Sequence, residues 1–208
     1  MNSRNEQEKF WETTYSKDYI RKNSDFNHEL LIKGWEQILK SVSTPSNILE
    51  FGANIGRNIE ALNHIYPNVA KTAIEISSDA SSILRQNFSD LNVKNSSILD
   101  SEIENNSFDL TFTMGVLIHI PPHNLLQNLE KIILSSNRYV VIGEYFNRTP
   151  VSITYQGEED KLFKRDFGKF VLENFAEKLE LLDYGFLWGH IYDEGGFDDV
   201  TWWVFERK

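Results

Sequence analysis

The chain has 208 residues, 40% of them hydrophobic and 13% aromatic, which is enough to bury a sizeable core in a single domain spanning 1–208 and excludes a disordered polymer. A formal net charge of -10, from 31 acidic against 21 basic residues, repels phosphate backbones and argues against nucleic acid as a partner. No apolar run approaches the ~20 residues of a membrane span, Met1 to Glu6 lacks a signal-peptide core, and without Cys there are no disulfides or thiolate metal sites, so a cytoplasmic, non-membrane protein is expected.

Residues 6–23 read as an aromatic-rich helix with Trp11, Tyr15 and Tyr19 on one face, either packed on the core or closing over a ligand. A second helix over 27–42 carries the stripe Leu31, Trp35, Ile38, Leu39 and Val42, and Pro45 ends it. Together they make an N-terminal helical flap over 1–44. Ile48, Leu49 and Phe51 form a short strand covered on both faces. Gly52 to Gly56 turns the chain into a helix marked by Ile55, Ile59, Leu62 and Ile65.

A second strand spans 69–76, and Ser77, Ser78 and Asp79 offer cap side chains to the helix of Ile83, Leu84 and Phe88. A weaker third strand covers 93–99 and a fourth 108–116. Pro121-Pro122 places a proline at the first position of a helix through Ile133, and a fifth strand spans 139–145. Strands alternating with helical patterns are the signature of a parallel sheet with helices on both faces.

The last third changes character. Residues 147–164 are polar without clean periodicity and read as a long loop, the kind of segment that serves substrate. Asp166 is an N-cap for a helix carrying Phe167, Val171, Phe175, Leu179 and Leu182. Strands over 183–190 and 199–206 follow, joined through Asp193-Glu194-Gly195-Gly196 as an antiparallel hairpin.

Such a glycine turn between strand and helix binds nucleotide-like ligands at a topological switch point. The dinucleotide fingerprint needs Gly-x-Gly-x-x-Gly, but Asn54 occupies the middle position here and Glu50 stands at the strand tip. A carboxylate there repels a pyrophosphate and suits an ammonium, which favours S-adenosylmethionine over NAD. Glu75, at the end of the second strand roughly 20 residues on, suits the two hydroxyls of a ribose.

With these residues, Glu50 to Gly56, Ala73-Ile74-Glu75-Ile76 and Phe108 to Ile120 resemble the successive motifs of class I S-adenosylmethionine-dependent methyltransferases. Phe10-Trp11, Tyr19-Ile20-Arg21, Leu162 to Phe167, Asp183 to Phe186 and Thr201 to Glu206 narrow the resemblance to the methylases associated with pseudaminic acid biosynthesis, over nearly the whole chain. The resemblance implies a Rossmann-like, doubly wound sheet of about seven strands, mostly parallel, with a C-terminal antiparallel pair. It implies Gly52, Asn54 and Gly56 around the cofactor's methionine part, Glu75 and Ile76 at its ribose, Ser97 and Ile98 at its adenine, and Met114, Gly115 and Val116 beside its sulfonium. Tyr19 and Arg21 join the cofactor set, Arg21 pairing with a carboxylate or standing as a surface arginine. Asn54 departs from the superfamily's usual glycine, and Asn tolerates left-handed backbone better than most residues.

The acceptor is sought at the strand ends. Glu144 is a candidate proton acceptor or, alternatively, an ordinary strand-end carboxylate. His119 is a candidate base or a turn-stabilising histidine. Tyr145, Asn147, Tyr155, Lys161, Lys164 and Arg165 form a candidate substrate set containing the one basic cluster of an acidic chain, with Trp202 as a pocket wall. No His/Asp/Glu cluster has metal-ligand spacing. The expected reaction is methyl transfer to N or O of a small polar acceptor, an amino- or amidino-bearing nonulosonic acid or related sugar. Methylation of another small molecule or a peptide side chain, non-catalytic cofactor binding, and a dehydrogenase are the rivals.

Overall fold

The computed structural model describes residues 26–155 and 158–208, with side chains over 26–153 and 162–208. The expected N-terminal aromatic helix, with Tyr19 and Arg21, lies outside the described residues, as do the side chains of Tyr155 and Lys161. Helix α1 (His28–Leu39) starts where the Asn27 carboxamide accepts the Leu30 N–H at 3.1 Å. The chain then alternates: β1 (Asn47–Phe51), α2 (Arg57–Ile65), β2 (Ala70–Glu75), α3 (Ser78–Asn87), β3 (Asn92–Asn95), β4 (Phe108–Met114), a 3-10 turn (Leu117–His119), α4 (Pro122–Ser135) and β5 (Ser136–Tyr145). Ser77 caps α3, and Pro122 opens α4, both as expected.

Seven strands form one sheet in the order β3-β2-β1-β4-β5-β9-β8. Strands β1 to β5 pair in parallel; β9 (Val200–Arg207) pairs antiparallel with both β5 and β8 (Leu179–Leu187). The order reverses between β1 and β4, so the ends of those strands open a crevice at the switch point. Side-chain alternation sorts the core onto two faces. Leu49, Ile142, Trp203 and Phe205 pack under α4 and α5 (Phe167–Phe175), and Ile48, Val141, Trp202 and Val204 pack under α1 and α2.

The structure differs from the sequence reading at several boundaries. The polar stretch after β5 is not a loop: β6 (Val151–Tyr155) and β7 (Glu158–Lys164) pair as an antiparallel ribbon whose second strand lies against the Leu117–His119 turn. Its acidic start hides the pattern, although Val151-Ser152-Ile153 alternates as a strand should. The helix after Asp166 stops at Phe175; Leu179 keeps helical spacing but begins β8. Strands β8 and β9 are joined not by a tight turn but through a short helix, α6 (Gly189–Tyr192), and a 3-10 turn (Asp193–Gly195). Strand β3 ends at Asn95, so Ser97 and Ile98 lie just past it.

Candidate functional site

Alternation along β1 turns Glu50 away from Leu49 and Phe51, toward the α1/α2 face. There its carboxyl is fully buried. Oε1 accepts a 2.7 Å hydrogen bond from Asn58 Nδ2, at the start of α2, and Oε2 has no hydrogen-bond partner among the described residues. Burial pushes the Glu50 pKa up to about 8, with Asn58 and Arg57 opposing and Glu75 adding to the rise. An unsatisfied buried carboxylate oxygen is costly unless a donor arrives to meet it.

The turn after Glu50 is tight. Gly52 has φ 80°, and a Cβ there would stand 2.4 Å from the Val116 side chain at the end of β4. Asn54 takes the left-handed conformation, φ 48°, that its residue type tolerates. Its N–H then donates to Glu75 Oε2 at 2.7 Å, and Gly56, also left-handed, starts α2. The other Glu75 oxygen accepts the Ser77 N–H at 2.7 Å. Burial raises the Glu75 pKa, and the N–H groups of Ser77, Asn54 and Ile76 pull it back. The β2 carboxylate therefore braces the turn with lone pairs left on both oxygens. Ser97 and Ile98 are buried beyond β3, the Ser97 hydroxyl bonded to Asp100, and Ile98 packs in the core with Leu49 and Leu117.

Across the crevice, Met114 and Gly115 end β4. A Cβ added at Gly115, φ 67°, would meet nothing within 4 Å, so open space lies beside this backbone. The half-buried Val116 leads into the 3-10 turn that ends at His119. Glu144, the candidate proton acceptor, lies against this turn. Glu144 is fully buried; Oε1 accepts the N–H groups of Val116 at 2.9 Å and Leu117 at 2.7 Å, and Oε2 that of Ile118 at 3.3 Å. It closes the donors at the start of a helical turn, as an N-cap does. Burial raises its pKa to about 8 against those three N–H groups.

Trp202, the candidate pocket wall, is fully buried over Gly185, under the Lys40 ammonium, in the core of the α1/α2 face. Four of the other acceptor candidates, Tyr145, Asn147, Lys164 and Arg165, lie close together. Lys164 Nζ stands 4.9 Å from the centre of the half-buried Tyr145 ring, Asn147 N–H bonds the Arg165 carbonyl at 3.2 Å, and the Arg165 guanidinium lies over Phe170. Partial burial lowers the Arg165 pKa. Two residues of the site were missed in the sequence. Asn58 bonds Glu50, and Trp35 bonds Asn58; Trp35 was visible only as one member of an apolar stripe, and a polar residue one turn into a helix carries no signal of its own.

Residues 48–134 match the family described as a methyltransferase domain. No curated protein matches the chain. Among solved structures, an S-adenosylmethionine-dependent methyltransferase of Leishmania major superposes with a TM-score of 0.73 at 15% identity, covering 97% of this chain and 81% of that one. The Burkholderia thailandensis 1,6-didemethyltoxoflavin-N1-methyltransferase, solved with its substrate and S-adenosylhomocysteine, gives 0.72 at 10% identity, covering 97% and 87%. The Synechocystis magnesium protoporphyrin IX methyltransferase, solved with S-adenosylmethionine, gives 0.70 at 11% identity, covering 100% of both. At these identities the likeness is one of fold.

Proposed function

We propose that this methyltransferase domain takes the methyl group of S-adenosylmethionine and transfers it to nitrogen or oxygen of a small polar acceptor that carries a carboxylate. One observation carries the donor: the unpartnered, buried Glu50 Oε2 beneath the Gly52–Gly56 turn, which an ammonium satisfies and a pyrophosphate does not. The residues present fit this cofactor. Glu50 receives the ammonium, Glu75 shares its remaining lone pairs with two ribose hydroxyls, and the open side of Gly115 leaves room beside the β4 backbone. The turn from Val116 to Ile118, fixed by Glu144, holds that side of the crevice in place. When bound, the cofactor supplies a methyl group already activated by its sulfonium, so the chain's main task is to align the acceptor with it.

On the acceptor side, Lys164 and Arg165 hold a carboxylate at the mouth of the crevice, with Tyr145 and Asn147 beneath them. His119, at the end of the turn that faces the β6–β7 ribbon, takes the proton released when nitrogen or oxygen gains the methyl. The acceptor we favour is an amino- or amidino-bearing nonulosonic acid, in keeping with the motif resemblance at both chain ends. Titration calorimetry with S-adenosylmethionine and with NAD, followed by incubation with methyl-labelled donor and candidate sugar acids, tests both halves. Binding of NAD alone refutes the donor, and label in none of the sugar acids refutes the acceptor class.

A further inference from the structure

This inference rests on the methyl-donor reading and goes one step behind it, to what aims the carboxylate. Trp35 is fully buried on α1, its ring edge-on to Phe112 with centroids 4.9 Å apart. Its indole N–H donates to Asn58 Oδ1 at 3.1 Å, and Asn58 Nδ2 donates to Glu50 Oε1 at 2.7 Å. The direction of this chain is forced. An indole N–H can only donate, so the oxygen of the Asn58 carboxamide must face Trp35 and its NH2 must face Glu50. The alternative rotation sets two donors against each other at the indole and an oxygen against the carboxylate.

We infer that Trp35 and Asn58 are positioning residues for the methyl donor: their one-way hydrogen-bond chain pins Glu50 Oε1 and leaves Oε2 as the single buried acceptor for the cofactor's ammonium. The α1 helix thereby sets the acceptor geometry from the face of the sheet toward which Glu50 points. Two charged groups act on Glu50 from neighbouring elements, Glu75 on β2 raising its pKa and Arg57 on α2 lowering it.

The test compares two probes, S-adenosylmethionine and methylthioadenosine, which shares the nucleoside and sulfur but lacks the ammonium and carboxylate. Calorimetry is run on wild type, Trp35→Phe and Asn58→Leu from pH 6 to 9, after a thermal melt shows each variant folded. In both variants S-adenosylmethionine should bind about tenfold more weakly at pH 7, one lost charge-assisted hydrogen bond in affinity. The rise of affinity with pH should also move to higher pH, while methylthioadenosine stays within about twofold. Equal losses for the two probes, or no loss for either, overturn the positioning role. Asn58→Leu carries the test if Trp35→Phe does not fold, because it removes the same link from a residue with no core-filling ring. A wild-type protein that fails to bind S-adenosylmethionine overturns the donor reading and this inference together, a result distinct from either variant's behaviour.

Discussion

Replacing Glu144 by Ala removes the acceptor of three backbone N–H groups at once. Leu117 and Ile118 are buried and Val116 is half-buried, so little water reaches the donors left behind. An unsatisfied buried donor costs about 1–3 kcal/mol, and the 3.3 Å bond to Ile118 weighs least, so the total is on the order of 3–6 kcal/mol. That is a large share of the roughly 5–15 kcal/mol that holds a domain folded. At roughly 2–4 °C per kcal/mol for a chain of this size, the melting temperature should fall by on the order of 10 °C. Glu144→Gln keeps one oxygen for Val116 and Leu117 and sets an NH2 against the Ile118 N–H, so it should cost only about 1–2 kcal/mol. Calorimetric melting of the three proteins, with initial rates at a temperature where all are folded, separates positioning from proton transfer. A general base lost in Glu144→Gln lowers turnover by about 10²–10⁴ at nearly unchanged stability. A brace lost in Glu144→Ala lowers stability first. An alanine variant that melts within 2 °C of wild type, as about the limit of a negligible effect, would refute the brace.

Stability should fall as pH rises from about 4.5 to about 8, because the folded chain keeps protons on Glu50 and Glu144 that the unfolded chain has released. The slope is up to about 1.4 kcal/mol per pH unit for each carboxyl, fully present as stability below the unfolded value and lost above the folded one. Urea melts across that range should show the decline, Glu50→Gln should flatten part of it, and stability that climbs with pH would contradict both shifts. Gly52→Ala sets a methyl against Val116 at a left-handed position, and should weaken S-adenosylmethionine binding in calorimetry by tenfold or more. Asn54→Gly should leave binding within about threefold while Asn54→Val abolishes it, since a β-branched residue resists φ 48°.

The parallel half of the sheet was legible because each strand is a short apolar run followed by a helical stripe, and both patterns come from burial alone. The switch-point turn was legible because Gly52, Asn54 and Gly56 are residue types that allow the positive φ each adopts. The end of the helix at Phe175 was not, since Leu179 continues the helical spacing by coincidence while pairing with Arg207 across β9. Neither was the β6–β7 ribbon: its second strand opens on Glu158-Glu159-Asp160, which shows no apolar alternation. At the site, residue type located Glu50 and Glu144 at strand ends but could not say which way each carboxyl faces.

That orientation decides their roles. Glu50 and Glu144 share residue type, complete burial and a pKa pushed up to about 8, and by those measures they are interchangeable. What separates them is the count of donors. Glu144 meets three backbone N–H groups, two on Oε1 and one on Oε2, so both its oxygens have donors within the chain. Glu50 meets one carboxamide, through one oxygen, and its other oxygen is buried without a partner among the described residues. A buried acceptor left open is tolerated where something else completes it, and the completing group must bring a donor, best of all a charged one. Raised pKa values cluster at functional sites, but these two carboxyls show that the shift alone does not distinguish a ligand from a brace. The unfilled oxygen does, and it is the ground on which Glu50 rather than Glu144 is proposed to meet the cofactor's ammonium.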